Sequence, residues 1–133
     1  MNKITHLSTT FSPIIIPKFD GLAKPAIRFS HEIDRMENNN LKIKITVFLS
    51  LKEFLGTTVF EIVNATSEFK IEINNYLTTE DVFNTFIESF KLFRSSFLQF
   101  ELSNNMNPIN IQPPTFNEMK NFSSDIVAWY YSP

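Results

Sequence analysis

The chain has 133 residues, of which 43% are hydrophobic and 20% charged, and this composition favours one folded domain over a disordered chain. It contains no cysteine, which excludes disulfides, thiolate metal sites and cysteine nucleophiles. The formal net charge of -2 offers no basic surface to a phosphate backbone, so no nucleic-acid partner is expected. The apolar run at residues 14–16 is too short to cross a membrane, and we expect a soluble, cytoplasmic protein without a membrane partner.

The start of the chain is rich in residues that interrupt regular structure. Pro13, Pro17, Pro25 and Gly21 all lie within residues 1–25. We therefore predict an irregular N-terminal arm over residues 1–25, in which residues 11–16 are a possible edge strand. The rest of the chain, residues 26–133, is predicted to form a single domain.

Alternating apolar and polar residues predict four strands after this arm. They lie at residues 26–34, 41–49, 57–64 and 68–74, and the second has the clearest alternation. A polar turn at residues 36–40 separates the first two strands. Because the connections are short, the strands are predicted to form an antiparallel meander.

A long helix follows the strands. Thr78 and Asp81 approximate a capping box at its start, and the helical pattern continues to about residue 103. Phenylalanines recur along this helix at spacings of three and four residues, which places them on one face. These are Phe83, Phe86, Phe90, Phe93, Phe97 and Phe100. We interpret this Phe stripe as the face of the helix that contacts the core or another subunit, since such rings favour burial.

A proline-rich connection leads to a shorter second helix. Residues 104–115 contain three prolines and alternate Ile109 and Ile111 with polar residues, which predicts an ordered extended segment. Thr115 is the predicted cap of a helix that begins at Phe116. The chain is thus predicted to have an α+β fold, with a long helix and a shorter C-terminal helix packed on one face of the sheet.

No catalytic or cofactor motif is present. Two glycines leave no phosphate-binding loop or dinucleotide fingerprint, and no set of nucleophile, base and stabilising group is complete. His31 lies on the apolar side of its strand and is interpreted as a core or interface residue, because metal sites need several ligands. We therefore expect no enzymatic activity, no cofactor and no bound metal.

Several segments together resemble the SecB export chaperone family. Residues 24–29 (KPAIRF) resemble the start of that family's first core strand, and residues 41–50 (LKIKITVFLS) resemble the second. Residues 58–63 (TVFEIV) and 68–71 (EFKI) resemble the third and fourth strands. Residues 107–116 (NPINIQPPTF) are similar to the segment that connects the family's two helices. The resemblance covers roughly residues 24–120.

The resemblance implies a homotetrameric holdase, a chaperone that keeps unfolded apolar client segments from aggregating and hydrolyses no nucleotide. Family members hold clients in apolar grooves beside the helix-connecting segment. Carried over to this chain, the resemblance implies client contacts for six residues. They are Met106, Ile109, Ile111, Phe116, Phe48 and Phe60.

The chain also departs from the family pattern. It ends in WYYSP, where the family prototype has an acidic, metal-binding tail. We therefore expect a specialised relative, for instance one dedicated to an antitoxin. Whether the terminal aromatic residues pack on the domain or bind a partner stays open at this point.

Two other functions remain open from the sequence. A non-catalytic structural or adaptor subunit would use the same apolar surfaces for permanent protein–protein contacts. A small-ligand pocket between the sheet and the long helix is the third possibility.

Overall fold

A computed structural model describes residues 2–14, 23–53 and 59–133 of the chain. In chain order the elements are strands β1 (Lys3–Pro13), β2 (Ala23–Arg35), β3 (Leu41–Glu53) and β4 (Val59–Glu72), then helices α1 (Thr79–Ser103) and α2 (Phe116–Tyr131). The strands form one antiparallel sheet in the order β1-β4-β3-β2, so β1 and β2 are its two edges. The predicted α+β fold with a four-stranded antiparallel sheet is confirmed.

The strand assignment within the sheet differs from the prediction at β4. The segments predicted as two strands, residues 57–64 and 68–74, belong largely to one continuous strand; residues 57 and 58 lie outside the described part of the chain. The residues taken as a gap continue the alternation, because Ala65 and Ser67 are both buried on the core side. Because these two inward side chains are small, the apolar pattern of the sequence is interrupted there and predicts a gap between two strands.

The remaining strand comes from the segment predicted to be an irregular arm. Residues 3–13 form β1 and pair with β4, so the prediction of irregular structure is wrong there. Residues 15 and 16 of the predicted edge strand are outside the described residues. A shift of register between His6 and Ser8 breaks the two-residue period, which explains why the strand pattern was missed.

The turn between β2 and β3 is confirmed. A short 3₁₀ turn covers Glu37–Asn39, and Asn38 and Asn39 have φ angles of 62° and 60°. Asparagine tolerates this left-handed backbone better than most residues do, so the sequence of this turn is suited to its geometry.

Both helix starts are confirmed down to their caps. Thr78 accepts the N–H of Asp81, and the Asp81 carboxylate accepts the N–H of Thr78 in return. Thr115 and Glu118 form the same capping box at the start of α2. Each box pairs backbone donors that the first helical turn leaves free.

The core lies between the inner face of the sheet and one side of α1. Four rings of the Phe stripe, at positions 86, 90, 93 and 97, are at most 2% exposed. Phe83 and Phe100, at the two ends, are partly buried against the same cluster. Within a single chain, the Phe stripe is thus mostly interior.

The aromatic end of the chain packs on the domain. The Arg35 guanidinium donates hydrogen bonds of 2.8–2.9 Å to three carbonyl oxygens at the end of α2, those of Trp129, Tyr130 and Ser132. It also lies 4.7 Å from the centre of the Trp129 ring. The Tyr131 hydroxyl accepts the N–H of Leu77 at 2.6 Å. Internal contacts therefore hold the terminal residues.

Candidate functional site

An open groove separates strand β2 from the connection between the helices and from α2. Its volume is about 240 Å³. We call it the β2–α2 groove. It is lined by Ile27, Arg28, Phe29, Gln112, Pro114, Glu118, Met119 and Phe122. Apolar side chains predominate in this lining, with Arg28, Gln112 and Glu118 as its polar members.

Strand β2 supplies one wall because of its alternation and its place in the sheet. Ile27 and Phe29 point to the core side, opposite Leu49 and Val47 of β3, yet both remain half-buried. They are not fully covered because β2 is an edge strand and only β3 flanks it. An apolar strip is therefore left along the rim of the sheet.

The second wall is the connection, residues 104–115, which α1 holds in place. Arg94 of α1 donates a hydrogen bond to the Ile111 carbonyl. The Glu101 carboxylate of α1 accepts the N–H of Ile109 at 2.7 Å. The connection continues from these anchors to Gln112 and Pro114, which line the groove.

Helix α2 supplies the third wall through residues one turn apart. Glu118, Met119 and Phe122 line the groove, and Met119 is also part of the buried core. Phe122 remains 39% exposed. Its ring contacts Phe86 of α1 and His31 of β2, with centroid separations of 6.2 and 5.8 Å. A partly exposed aromatic ring therefore lines the groove and is packed against rings of both neighbouring elements.

Charged side chains flank this apolar lining. The Arg28 guanidinium lies 4.1 Å from the centre of the Phe48 ring, a cation–π contact at the sheet edge. Hydrogen bonds from the Thr115 backbone and hydroxyl lower the pKa of Glu118, so this carboxylate stays ionised at neutral pH. One cation and one anion therefore border the groove, which favours no client of a particular charge sign.

His31 is the titratable residue beside the groove. It lies on the core side of β2, and its ring meets Phe86 and Phe122 edge to face. Burial lowers the pKa of His31, and the negative charge of Asp125 partly offsets this effect. Among the described residues, the buried Nδ1 atom of His31 has no hydrogen-bond partner. Its contacts are those of a core residue.

Four of the residues predicted to contact clients lie in the connection or at the start of α2, outside the lining of the β2–α2 groove. Met106 and Ile109 are half-buried in the connection, and Ile111 is only 4% exposed, as part of the core. Phe116 is 41% exposed at the start of α2, where its ring meets Phe83 rather than the groove. None of these four residues lines the groove.

Of the two predicted client contacts in the sheet, Phe48 has a described side chain and Phe60 does not. Phe48 is on the face of β3 opposite the core, because its neighbours Val47 and Leu49 are buried. The Phe60 side chain lies outside the described part of the structure. The groove is lined instead by Ile27, Phe29 and Phe122. The sequence shows the alternation of the first two along a strand and places the third on a helix. It contains no sign that the three residues line the same surface.

Two kinds of feature were sought in the described residues, 2–14, 23–53 and 59–133. No group of three or more histidine, aspartate or glutamate side chains is placed to hold a metal ion. Neither helix combines the length and the apolar character needed to cross a membrane.

Comparison with known proteins gives a likeness of fold. No family model matches the sequence, and no curated protein matches it. The fold is similar to that of the SecB-like chaperone Rv1957 of Mycobacterium tuberculosis, solved in complex with a ChAD peptide from the Rv1956 HigA1 antitoxin. The match covers 85% of this chain and 88% of the other, with a TM-score of 0.52 and 13% sequence identity.

This likeness is consistent with the sheet and helices described above. At 13% sequence identity, the likeness shows the fold alone. The role of the residues that line the groove has to be inferred from their contacts in this structure. The resemblance inferred from the sequence is confirmed at that level: the chain has a SecB-like fold.

Proposed function

We propose that the protein is an ATP-independent holdase chaperone that binds unfolded apolar segments of client proteins in the β2–α2 groove. The observation that carries this proposal is an open apolar groove beside an edge strand in a chain with a SecB-like fold. Folded monomers rarely leave apolar clefts of this kind uncovered unless they bind something.

The size of the groove favours peptide side chains over a whole small molecule. Its volume of about 240 Å³ is below the roughly 300–1,000 Å³ typical of small-molecule pockets. It is also partly open to solvent, so side chains of a larger molecule can reach it from outside. Apolar side chains of an extended segment fit this shape.

The neighbouring sheet edge supplies a way to hold the backbone of a client. Among the described strands, β2 pairs with β3 alone, so in that part of the chain its outer edge is available to an extended segment. Edge pairing gives affinity through main-chain hydrogen bonds, and an adjacent groove adds preference for apolar side chains. This combination suits clients that share no single sequence.

An antitoxin is one candidate client. The solved neighbour is in complex with a peptide from an antitoxin, which supports a polypeptide as the ligand of this fold. We propose that the clients here are unfolded or partly folded polypeptides in the cytoplasm, with no cofactor and no catalytic step.

The proposed active form is a homo-oligomer, either a dimer or a tetramer. Leu98 and Leu102 lie one turn apart on α1 and are 49% and 69% exposed. Two leucines on one exposed helical face support a contact with a second copy. The same exposure is the observation in favour of the alternative, a structural or adaptor subunit with permanent apolar contacts.

Aggregation of an unfolded protein provides the test. Reduced carboxymethylated α-lactalbumin, which stays unfolded, serves as the binding probe, and an aggregating denatured enzyme serves as the client in a light-scattering assay. We expect suppression at near-stoichiometric amounts without ATP. A lack of both binding and suppression contradicts the chaperone and favours the adaptor subunit.

Two phenylalanines of α2 provide a matched pair that locates the client surface. Phe122 and Phe116 have nearly equal exposure, 39% and 41%, but only Phe122 lines the groove. Phe122→Ser is expected to weaken probe binding about tenfold, the effect of losing a well-packed aromatic contact. Phe116→Ser is expected to change binding by less than about twofold. The reverse order would place the client at the connection, as the sequence resemblance implied.

Light scattering on a sizing column tests the oligomer separately. A dimer or tetramer supports the proposal, and Leu98→Glu together with Leu102→Glu is expected to lower the mass. If these changes abolish the oligomer and leave probe binding intact, the two surfaces are independent.

A further inference from the structure

Glu101 occupies an unusual position for a charged residue. It lies near the end of α1 and is only 4% exposed. The other buried polar residues of the described chain are serines and a threonine, so Glu101 is the single ionisable residue among them. No ion pair within that part of the chain includes it.

This placement does not favour folding. Burial removes water from a carboxylate, and an opposite charge usually compensates for that loss. Glu101 also lies near the negative end of the α1 dipole, whose last turn contains no basic residue. An apolar side chain of similar volume would serve the core at least as well. The benefit of Glu101 must therefore come from what its polar atoms hold.

Glu101 holds the connection at two points. Its backbone carbonyl accepts the N–H of Met106 at 3.0 Å. Its carboxylate accepts the N–H of Ile109 at 2.7 Å. Residues 106–115 form no helix or strand. The two hydrogen bonds to Glu101 therefore pair backbone N–H groups that a helix or a sheet would otherwise pair.

Arg94 supplies a third anchor from the same helix. It precedes Glu101 by seven residues, which is about two turns, so both side chains project from similar sides of α1. Arg94 donates to the Ile111 carbonyl. The two anchored residues, Ile109 and Ile111, alternate with exposed Asn110 and Gln112. Both isoleucines therefore turn inward while the polar side chains turn outward.

We propose that Glu101 is a positioning residue, which with Arg94 holds the connection as a fixed wall of the β2–α2 groove. Gln112 and Pro114 of that wall line the groove and follow directly after the anchored residues. A loose connection would have to become ordered when a client binds, and this ordering would weaken affinity. The consequence for client binding rests on the proposed function, whereas the anchoring of the connection does not.

Two variants, Glu101→Met and Glu101→Gln, distinguish the hydrogen bond that anchors the connection from a contribution of the side chain to the stability of the core. Methionine keeps the approximate volume of the side chain but cannot accept the Ile109 N–H as a carboxylate does, whereas the amide oxygen of glutamine can. Glu88→Met makes the same change at an exposed position of α1 and serves as the control. Amide hydrogen exchange by NMR, urea unfolding and affinity for reduced carboxymethylated α-lactalbumin are measured for each variant.

For Glu101→Met we expect exchange of the Ile109 amide to rise about tenfold or more, the loss expected for a hydrogen bond to a charged group. The urea midpoint is expected to stay the same or to increase, and probe affinity to fall several-fold. Glu101→Gln is expected to restore both exchange and affinity to within about threefold of the original chain. Glu88→Met is expected to change neither.

Arg94→Met is the second variant, because Arg94 is exposed and its loss does not endanger the core. It removes the hydrogen bond to the Ile111 carbonyl, and exchange of the neighbouring Ile109 amide is expected to speed up as the connection loosens. Unchanged Ile109 exchange in Glu101→Met overturns the proposal, as does faster exchange with unchanged probe affinity. If the original chain binds no probe, the proposed function fails, and the exchange rates alone then decide whether Glu101 holds the connection.

Discussion

The two helices use the same residue type in opposite ways. Phe86 of α1 is fully buried, whereas Phe122 of α2 is 39% exposed, although their ring centroids are only 6.2 Å apart. Helix α1 turns one broad apolar face to the sheet and closes the core with it. Helix α2 buries a narrower stripe, at Met119, Ser123 and Ile126.

The width of the buried stripe explains this difference. On α2 the buried positions recur once per turn, so aromatic residues beside the stripe lie at its margin. Phe116 and Phe122 are two such marginal residues. Each of these two rings contacts a neighbouring ring and is still about two-fifths exposed, so part of it is available to a binding partner. A phenylalanine count alone therefore says little about function.

The largest expected effect is the loss of stability when a phenylalanine is removed from α1 rather than from α2. Phe93→Ala removes a ring that is 0% exposed, and we expect a loss of about 3–5 kcal/mol in the free energy of unfolding. Phe122→Ala removes a partly exposed ring and is expected to cost only about 1 kcal/mol. Urea unfolding followed by circular dichroism measures both. Equal losses would mean that α2 is as much a part of the core as α1.

The next effect concerns how the end of α2 is held. Arg35→Met removes three hydrogen bonds to the last carbonyls of α2, and we expect a loss of about 1.5 kcal/mol. Arg35→Lys keeps the charge near the helix end but lacks the guanidinium plane that lies over the Trp129 ring, so it should recover only part of that loss. The free energy of unfolding from denaturant titration checks this order. Full recovery by lysine would show that charge alone holds the end of α2.

Removing the N-terminal caps of the two helices is expected to have a smaller effect on stability, and one that differs between α1 and α2. Thr78→Ala and Thr115→Ala each remove one capping box, at a cost of about 1 kcal/mol. Because α1 is central to the core, the first loss is expected to lower global stability. The second is expected to appear first as faster amide exchange within α2. Amide exchange measured residue by residue distinguishes them, and uniform exchange throughout the chain in both variants would show that the two helices unfold as one unit.

The smallest expected effect is the pH dependence of stability that comes from His31, which contacts both helices from β2. Burial lowers the pKa of His31 below its ordinary value of 6.5, so the folded chain favours the neutral ring. The stability gained from the neutral ring is complete above pH 6.5 and declines as the pH falls through 6.5 toward the lowered folded pKa. Since Asp125 offsets part of the shift, the change is expected to be modest.

Urea unfolding at several pH values between about 8 and 5.5 checks this sign. His31→Phe removes the titrating group, so the difference between the two proteins isolates its contribution. We expect the original chain to lose stability relative to His31→Phe as the pH falls. A difference that stays constant with pH, or that changes in the opposite direction, contradicts the account of His31 as a buried neutral residue.

Local signals in the sequence predicted local structure well. The capping box at Thr78 and the cap at Thr115 need only residues a few positions away, and both are present in the structure. The alternation of residues 41–49 is equally local, and β3 follows it. By contrast, the bulge near His6 depends on how β1 meets β4, so the same kind of pattern failed for β1.

The candidate site was predicted in part, for the same reason. The connection was correctly expected to be an ordered segment, but the side chains expected to contact clients were not those that line the groove. The family resemblance implied a client contact for Ile111, yet this residue is only 4% exposed and belongs to the core. Glu101 gave no sign of its role, since a glutamate near a helix end is ordinary in a sequence.

The sequence by itself determined the class of the fold: the helix and strand periods, the caps, and the resemblance to the SecB family. These are properties of neighbouring residues, which each segment expresses with little help from the rest of the chain. Only the tertiary structure decided that β1 completes the sheet, that the Phe stripe is interior and that β2, the connection and α2 enclose a groove. Burial depends on which surfaces meet across long sequence distances, and no local pattern contains that information.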